Sequence, residues 1–212
     1  MPEGISLAYL PSWGQVKLRI TAKGKDRQEL VKEVEACKQE LKRYIGKYMY
    51  GEDEEPIQEA IGKILISRGQ TLSVAESCTG GYITHLITSI PGSSNYFLGG
   101  MIAYSNSIKQ KLLGVKPDTI NRFGAVSEET VKEMAGNLLD LYNANYAIAT
   151  SGIAGPGGGT EDKPVGTVWI AIADKDDIVS RKYTILKDRL SNIKYASVAS
   201  LILLWQRLSQ KN

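Results

Sequence analysis

The stretch TLSVAESCTGGY, residues 71–82, decides the fold class. Its first half is a short apolar run, TLSVA, that predicts a strand, and its glycine pair predicts a turn. We expect a helix to follow, from about residue 78 to 90, with Ser77 as its N-cap. A strand that leads through a tight turn into a helix is the repeating unit of α/β proteins. Ser77, Cys78 and Thr79 also place three potential nucleophiles side by side at this turn.

The same alternation continues along the rest of the chain. The predicted helices are IQEAIGKILISRG, NSIKQKLLGV, SEETVKEMAGNLLDLYNA and an amphipathic segment over 189–208. The predicted strands are YFLGGMIAYS, NYAIATSGIAG, GTVWIAIAD and DIVSRKYTIL, and the last two form a hairpin through a short Lys-Asp turn. Because a hairpin is antiparallel, we expect an α/β domain with a mixed rather than purely parallel sheet.

Residues 1–50 are predicted to form a separate, small ββα unit. Two short strands flank a Pro-Ser-Trp-Gly turn, and a helix follows with Asp26 as its N-cap candidate and Gly46 past its end. The segment YGEDEEP is the expected linker. The chain is therefore expected to divide into a domain over 1–50 and a larger domain over 55–209.

Composition excludes several kinds of protein. The net charge is +3, and residues 1–50 hold ten basic and six acidic residues, so that region carries +4 and the remainder −1. A solvated helix face explains this basic arm better than a nucleic-acid partner does. No apolar run approaches the roughly 18 residues of a membrane span, and the first residues do not resemble a signal peptide. We expect a cytoplasmic protein without a membrane partner.

Histidine and cysteine are too scarce for a zinc site or a histidine-based triad. The chain has one histidine, His85, and two cysteines, Cys37 and Cys78, so no disulfide framework and no metal are expected. On a helix, His85 would lie eight residues beyond Ser77, or about 12 Å away at ~1.5 Å per residue. It therefore cannot serve Ser77 as a base within one chain, and we expect it on a helix surface.

Two glycine-containing segments are candidates for ligand binding. The turn over 77–81 can offer the free N–H groups of a helix start to an anion or oxyanion, but an ordinary Ser or Thr N-cap is equally consistent with it. The segment SGIAGPGGGTEDKPVG, residues 151–166, follows an apolar strand with six glycines and two prolines. It matches neither a P-loop nor a dinucleotide fingerprint. Its length favours a functional loop over a mobile connection.

Lys109 is a candidate base. It falls in the first turns of the helix that follows a strand ending at Tyr104. That strand end and the one at Ala75 can meet at one edge of the sheet, where α/β proteins bind ligands. A buried, neutral lysine can deprotonate a serine without histidine. The alternative is that Lys109 is an ordinary surface lysine.

The motifs AESCTGG, YSNSIKQKLLGV, GAVSEETVKEMA, SGIAGPGGG and KPVGTVWIA occur in this order. Together they resemble the C-terminal domain of the CinA family of competence/damage-inducible proteins over residues 55–209. The resemblance implies a three-layer α/β/α fold and deamidation of nicotinamide mononucleotide (NMN). Residues 1–50 resemble the family's small KH-like domain, although the lack of a clear Gly-x-x-Gly loop weakens an RNA-binding interpretation. Longer members carry a further N-terminal domain, and none of its activity is expected here.

The resemblance implies roles for individual residues. Ser77 would be the nucleophile and Lys109 its base, and Tyr104 would orient or protonate. Ser151, at a position that is often threonine in the family, would support the dyad or the oxyanion, and Arg189 would bind substrate. Other expected substrate contacts come from the same motifs: Thr79, Gly80, Gly81, Asn106, Gly152, Gly155 and Gly157. The resemblance implies no cofactor, and it favours a homodimer.

Several alternatives stay open at this point. Cys78 is the rival nucleophile, although no second base is evident that would make it a thiolate. A non-catalytic nucleotide-binding or regulatory module is the second functional hypothesis, and nucleic-acid binding by the basic arm is the third. The sequence also leaves open whether Met1 is the natural start, whether NMN is the preferred substrate, and which groups bind its phosphate.

Overall fold

A computed structural model describes residues 4–12 and 14–210. The chain divides into two compact units, residues 1–54 and 55–212. Trp13 of the predicted Pro-Ser-Trp-Gly turn lies outside the described residues, and so does Met1. None of the helices among the residues described is long and apolar enough to cross a bilayer.

The first unit is a ββα arrangement. Strand β1 (Ile5–Ser12) pairs with β2 (Gln15–Ala22) in antiparallel register, and helix α1 (Arg27–Ile45) packs against β2. Asp26 caps α1, because its carboxylate accepts the N–H groups of the second and third residues that follow it. A short 3-10 turn, Gly46–Tyr48, follows α1. The predicted ββα unit is confirmed.

The second unit is built around a five-stranded mixed sheet. Its elements, in chain order, are α2 (Ile57–Ser67), β3 (Leu72–Glu76), α3 (Tyr82–Thr88), a 3-10 turn (Ser93–Asn95), β4 (Phe97–Ile102), α4 (Asn106–Leu113), α5 (Pro117–Phe123), α6 (Glu128–Tyr142), β5 (Tyr146–Gly152), β6 (Thr167–Asp174), β7 (Ile178–Thr184) and α7 (Arg189–Gln210). The strand order is β4-β3-β5-β6-β7. Strand β3 runs parallel to both neighbours, whereas β6 runs antiparallel to both of its neighbours, β5 and β7. The predicted mixed sheet is confirmed.

Alternation of side-chain size along the strands produces the three layers. One face of the sheet carries alanines that pack with Met134 and Leu138 of α6 in a single core: Ala75, Ala147, Ala149, Ala171 and Ala173. Small side chains let this helix approach the sheet closely. The residues adjacent to these alanines along the strands include larger ones that point to the opposite face, where α3 and α7 pack: Val74, Ile148, Ile170 and Ile172. The expected α/β/α sandwich is confirmed.

Helix α3 begins later than predicted. The helix expected from about residue 78 begins at Tyr82, and Gly81 rather than Ser77 is its N-cap. Gly80 and Gly81 adopt φ angles of +61° and +98°, which a right-handed helix cannot include. Residues 77–81 are therefore a turn that separates β3 from α3.

Two further element boundaries differ from the sequence-based expectation. Strand β4 ends at Ile102, two residues before Tyr104. Helix α5 was not predicted; it begins with Pro117, a residue favoured in the first helical turn.

Candidate active site

Ser77 and Lys109 meet at one edge of the sheet. Ser77 directly follows β3, and Lys109 lies on α4, which follows the neighbouring parallel strand β4. The Nζ atom of Lys109 is 2.9 Å from the Oγ atom of Ser77. Both side chains are buried, with 2 % of Lys109 and 7 % of Ser77 exposed. The lysine is thus no ordinary surface residue, and the two groups are within hydrogen-bond distance.

The surroundings of Lys109 favour a neutral amine. Its Nζ also contacts the backbone carbonyls of Ala103 (2.9 Å) and Tyr104 (3.2 Å). Burial lowers the pKa of Lys109, and no acidic side chain in the described ranges forms an ion pair with it. A neutral amine has two N–H groups and one lone pair. With both N–H groups on the carbonyls, the lone pair can accept the proton of the Ser77 hydroxyl.

The backbone around Ser77 is held firmly and leaves two amides free. The Ser77 N–H donates to the Thr150 carbonyl at 3.1 Å, and the Ser77 carbonyl accepts the Gly80 N–H at 3.1 Å. The Thr79 hydroxyl is buried against that of Thr150, at 2.8 Å, so its side chain does not face solvent. Among residues 4–12 and 14–210, the N–H groups of Cys78 and Thr79 donate to no backbone carbonyl. They are the available donors next to the serine.

The side chain of Glu76, the last residue of β3, binds the start of helix α3. Its side chain is fully buried, and its carboxylate accepts the N–H groups of Gly81 (3.0 Å), Ile83 (3.1 Å) and Thr84 (2.8 Å). Of the N–H groups expected to be open over 77–81, that of Gly81 is therefore already occupied and cannot bind an anion. The only sequence signal for this role is an acidic residue at the end of an apolar strand that precedes a helix.

The structure disfavours Cys78 and His85 as catalytic groups. Cys78 is 7 % exposed, and burial raises the pKa of its thiol to about 12, so a thiolate is scarce at neutral pH. His85 lies exposed on α3, where its ring centroid is 6.0 Å from that of Tyr82. Its expected position on a helix surface is confirmed.

Tyr104, in the connection between β4 and α4, contacts Arg189 at the start of α7. The guanidinium of Arg189 donates to the Tyr104 hydroxyl at 3.0 Å and to the Gly155 carbonyl at 2.5 Å. Tyr104 is 59 % exposed, and its contact with Lys109 is made by the backbone carbonyl rather than by the hydroxyl. Asn106 is exposed in the first turn of α4. These groups are accessible to a ligand.

Ser151 is buried beside the site but bonded elsewhere. Its side chain is 1 % exposed, and its hydroxyl donates to the Ala125 carbonyl at 2.6 Å. Ser151 directly follows Thr150, whose carbonyl holds the Ser77 N–H. Within the described part of the chain, the Ser151 hydroxyl makes no hydrogen bond to Ser77 or Lys109. It instead ties β5 to the connection between α5 and α6.

Side chains in the first turn of α7 form hydrogen bonds with the glycine-rich loop over 151–166. Asn192 is buried, and its amide nitrogen donates to the carbonyls of Ala154 and Lys187, both at 3.0 Å. Arg189, three residues earlier on α7, holds the next loop carbonyl, that of Gly155. Sequence analysis missed Asn192, because nothing local distinguishes it from other helix-start polar residues.

A groove of about 710 Å³ lies between the loop and α7. The residues that line it are Ala154, Pro156, Val165, Lys187, Asp188, Arg189, Leu190 and Ile193. The predicted contacts Gly152, Gly155 and Gly157 belong to the strand end and loop beside it. In the residues that the structure describes, no three His, Cys, Asp or Glu side chains cluster closely enough to hold a metal ion.

Comparisons with known proteins identify the family. A family model described as the CinA C-terminal domain matches residues 54–208, and one described as the damage-inducible protein CinA KH domain matches residues 2–51. The CinA-like protein of Cytophaga hutchinsonii is 42 % identical over 210 residues, which are 99 % of this chain and 50 % of that protein. The CinA-like protein of Chloroherpeton thalassium is 45 % identical over 213 residues, which are 99 % of this chain and 51 % of that protein. The chain thus spans about half the length of these curated relatives.

Comparison with solved structures indicates the same family. The competence damage-inducible protein A of Klebsiella pneumoniae superposes with a TM-score of 0.71 at 31 % identity, covering 74 % of this chain and 97 % of that one. A CinA superfamily protein of Escherichia coli superposes with a TM-score of 0.69 at 27 % identity, covering 77 % of this chain and 98 % of that one. The chain therefore belongs to the CinA family of competence/damage-inducible proteins.

Proposed function

We propose that this protein is an amidohydrolase that deamidates NMN to nicotinic acid mononucleotide and ammonia. One observation carries the proposal: a buried lysine, which has no carboxylate partner among the described residues, lies 2.9 Å from a serine hydroxyl. A nucleophile within hydrogen-bond distance of a base with a lowered pKa is the usual arrangement for acyl transfer. Membership of the CinA family, and the NMN chemistry expected from that resemblance, also support an amidohydrolase.

In the first half of the reaction, the neutral Lys109 amine accepts the Ser77 proton while Oγ bonds to the carboxamide carbon. The carbonyl electron pair moves to oxygen, and the free N–H groups of Cys78 and Thr79 stabilise the resulting oxyanion. The Lys109 ammonium then returns the proton to the amide nitrogen. The C–N bond breaks, ammonia leaves, and an acyl ester on Ser77 remains.

In the second half, water attacks the ester carbon and gives a proton to Lys109. The second tetrahedral intermediate collapses, the Ser77 oxygen leaves with the proton from Lys109, and nicotinic acid mononucleotide is released. The exposed Tyr104 hydroxyl contacts Arg189, which supports a role for Tyr104 in orienting the substrate. Neither half of this reaction uses a metal or a cofactor.

Arg189 is the proposed contact for the phosphate of NMN. Its present partners, a backbone carbonyl and a phenol, are neutral, so a phosphate can compete for the guanidinium. The adjoining groove is lined by apolar side chains together with Lys187, Asp188 and Arg189 itself, and it offers room for the ribose. The exposed glycines of the loop provide further backbone donors.

We also propose a homodimer. Strand β4 is an edge of the sheet, and its Leu98 and Ile102 are 46 % and 54 % exposed. Edge strands without charged or proline protection are normally covered, and no charged residue or proline occurs between Pro91 and Lys109. Light scattering on purified protein tests the mass, and a monomer at micromolar concentration contradicts the dimer.

The test of the function is product analysis with NMN, nicotinamide and NAD side by side. Ser77→Ala should abolish ammonia release from NMN, because it removes the nucleophile and leaves the fold intact. Ser73→Ala is the matched control: Ser73 lies on β3, the strand that Ser77 follows, is fully buried, and its hydroxyl has no hydrogen-bond partner among the described residues. It should retain full activity.

Near-normal turnover by Ser77→Ala would contradict the mechanism. Absence of ammonia release by the folded wild-type protein would contradict the enzymatic function and favour a non-catalytic nucleotide-binding or regulatory module. A steeply salt-dependent filter-binding signal with RNA would favour the nucleic-acid hypothesis instead.

A further inference from the structure

We propose that Glu76 is a positioning residue for the reaction at Ser77, an inference that rests on the function proposed above. By holding the start of α3 against the end of β3, its carboxylate fixes the intervening turn. That turn carries the nucleophile and the free N–H groups of Cys78 and Thr79.

The contacts of Glu76 are unusual for a surface-type side chain. It is fully buried, yet it forms no ion pair with any basic residue in the described ranges. Three backbone N–H groups of the α3 start satisfy both carboxylate oxygens. The N-terminal end of a helix is also its positive end, which favours an anion there. The helix start and the carboxylate therefore stabilise one another.

The turn between the two elements is pinned at three points. The Ser77 N–H donates to Thr150, the Gly80 N–H donates to the Ser77 carbonyl, and the Gly81 N–H donates to Glu76. Gly80 and Gly81 both adopt positive φ angles within this turn. The amides of Cys78 and Thr79, the two residues that follow Ser77 in the chain, take no part in these three hydrogen bonds. Releasing Glu76 removes the third point and lets the turn move.

The same contacts bear on how the substrate is oriented. Because the carboxylate already fills the positive end of α3, a phosphate group meets a negative charge there instead of free donors. The phosphate of a nucleotide substrate is therefore directed away from α3, towards Arg189 and the loop. Glu76 thus contributes to both the position of the turn and the direction in which the substrate lies.

The test compares Glu76→Gln with a matched carboxylate elsewhere. Glutamine keeps the shape but replaces one acceptor oxygen with an NH₂ group, so at least one of the three N–H groups loses its partner. Asp174→Asn is the control. Asp174 is also buried and accepts two backbone N–H groups as well as Arg207, but it lies at the opposite end of the sheet, paired with Tyr146.

For Glu76→Gln we expect kcat for NMN to fall about 10- to 1,000-fold, comparable with the loss of an oxyanion donor, while KM changes less than about threefold. Asp174→Asn should lower the urea midpoint without lowering kcat of the folded protein. A merely structural role for Glu76 predicts the same behaviour as Asp174→Asn. That outcome, or a kcat within about threefold of wild type, overturns the proposal.

A second measurement keeps the inference testable if wild type does not release ammonia from NMN. An alkyl fluorophosphonate bonds to an activated serine oxygen with loss of fluoride, and its phosphoryl oxygen needs the same N–H donors. Mass spectrometry then follows the labelling of Ser77 with time. Slower labelling in Glu76→Gln than in Asp174→Asn supports the positioning role, and equal rates refute it. Failure of the proposed function shows separately, as labelling without turnover or as no labelling at all in wild type.

Discussion

Replacing Lys109 with methionine tests whether the buried amine is neutral in the folded protein. Methionine has similar length, fills the same space and does not titrate. Burial lowers the pKa of Lys109 in the folded state, while in the unfolded chain it returns to its ordinary value of about 10.4. Wild type and Lys109→Met should therefore differ in how their stability depends on pH.

The direction of this pH dependence follows from the number of protons that the folded and unfolded states bind. Between the lowered pKa and about 10.4, Lys109 is neutral when folded and protonated when unfolded, so the unfolded state binds one more proton. The free energy of unfolding of wild type then rises with pH, by up to about 1.4 kcal/mol per pH unit, relative to Lys109→Met. Below the lowered pKa both states are protonated, and the difference between the two proteins becomes constant.

A constant offset is expected on top of this slope. Methionine cannot donate to the carbonyls of Ala103 and Tyr104, and each buried acceptor left without a partner costs about 1–3 kcal/mol. This cost does not depend on pH. It therefore shifts the difference curve without changing its slope, and the slope alone reports the protonation of Lys109.

Urea denaturation of both proteins at intervals from pH 6 to 10.5 gives the difference curve. The same lowered pKa should appear in the activity of wild type, where kcat/KM for NMN rises with pH as the free amine forms. Lys109→Met should lose about 100-fold or more in kcat through loss of the base. A difference curve that stays flat up to pH 10.5, or a kcat/KM that does not rise, would refute the neutral-lysine mechanism.

Three further substitutions address the remaining site residues. Cys78→Ala should keep kcat within about threefold, because its thiol is buried with a pKa near 12; an inactive protein would make the cysteine a candidate nucleophile. Arg189→Gln should raise KM for NMN about tenfold or more while nicotinamide turnover changes little, and equal effects on both substrates would exclude phosphate contact. Gly152→Ala would place its Cβ 2.7 Å from the Thr167 carbonyl and 3.0 Å from the Cys78 sulfur, which should lower the free energy of unfolding by about 1–3 kcal/mol; an unchanged urea midpoint would contradict that packing.

The layered fold was predictable because it depends on patterns that a sequence displays. Alternating strands and helices indicated an α/β domain, and the Lys-Asp turn between two apolar runs indicated the antiparallel hairpin. That Lys109 could meet the turn after β3 followed from a topological rule, since the ends of parallel strands share one edge of the sheet. The choice of Ser77 as its partner was implied by the resemblance to the CinA family. Those inferences required no knowledge of where a side chain points.

Side-chain direction is what the sequence did not reveal. Ser151 was expected to support the dyad, but its hydroxyl turns to Ala125, which no local pattern indicates. Glu76 and Asn192 satisfy backbone groups that are neighbours only after folding. The helix boundary at Tyr82 was missed because the glycine turn was taken as the first helical turn, although two consecutive positive φ angles require a break.

One chain of hydrogen bonds explains why a serine and a lysine 32 residues apart meet at 2.9 Å. The Ala103 N–H donates to the Glu76 carbonyl and fixes the end of β4 to the end of β3. The Ala103 carbonyl then accepts a hydrogen bond from the Lys109 amine, and the same amine is hydrogen-bonded to the Ser77 hydroxyl. The backbone N–H of Ser77 donates to the Thr150 carbonyl on β5. Three adjacent strands therefore set the spacing between Ser77 and Lys109. Because parallel strands keep a nearly fixed separation, the reactive distance depends on the sheet rather than on any flexible loop.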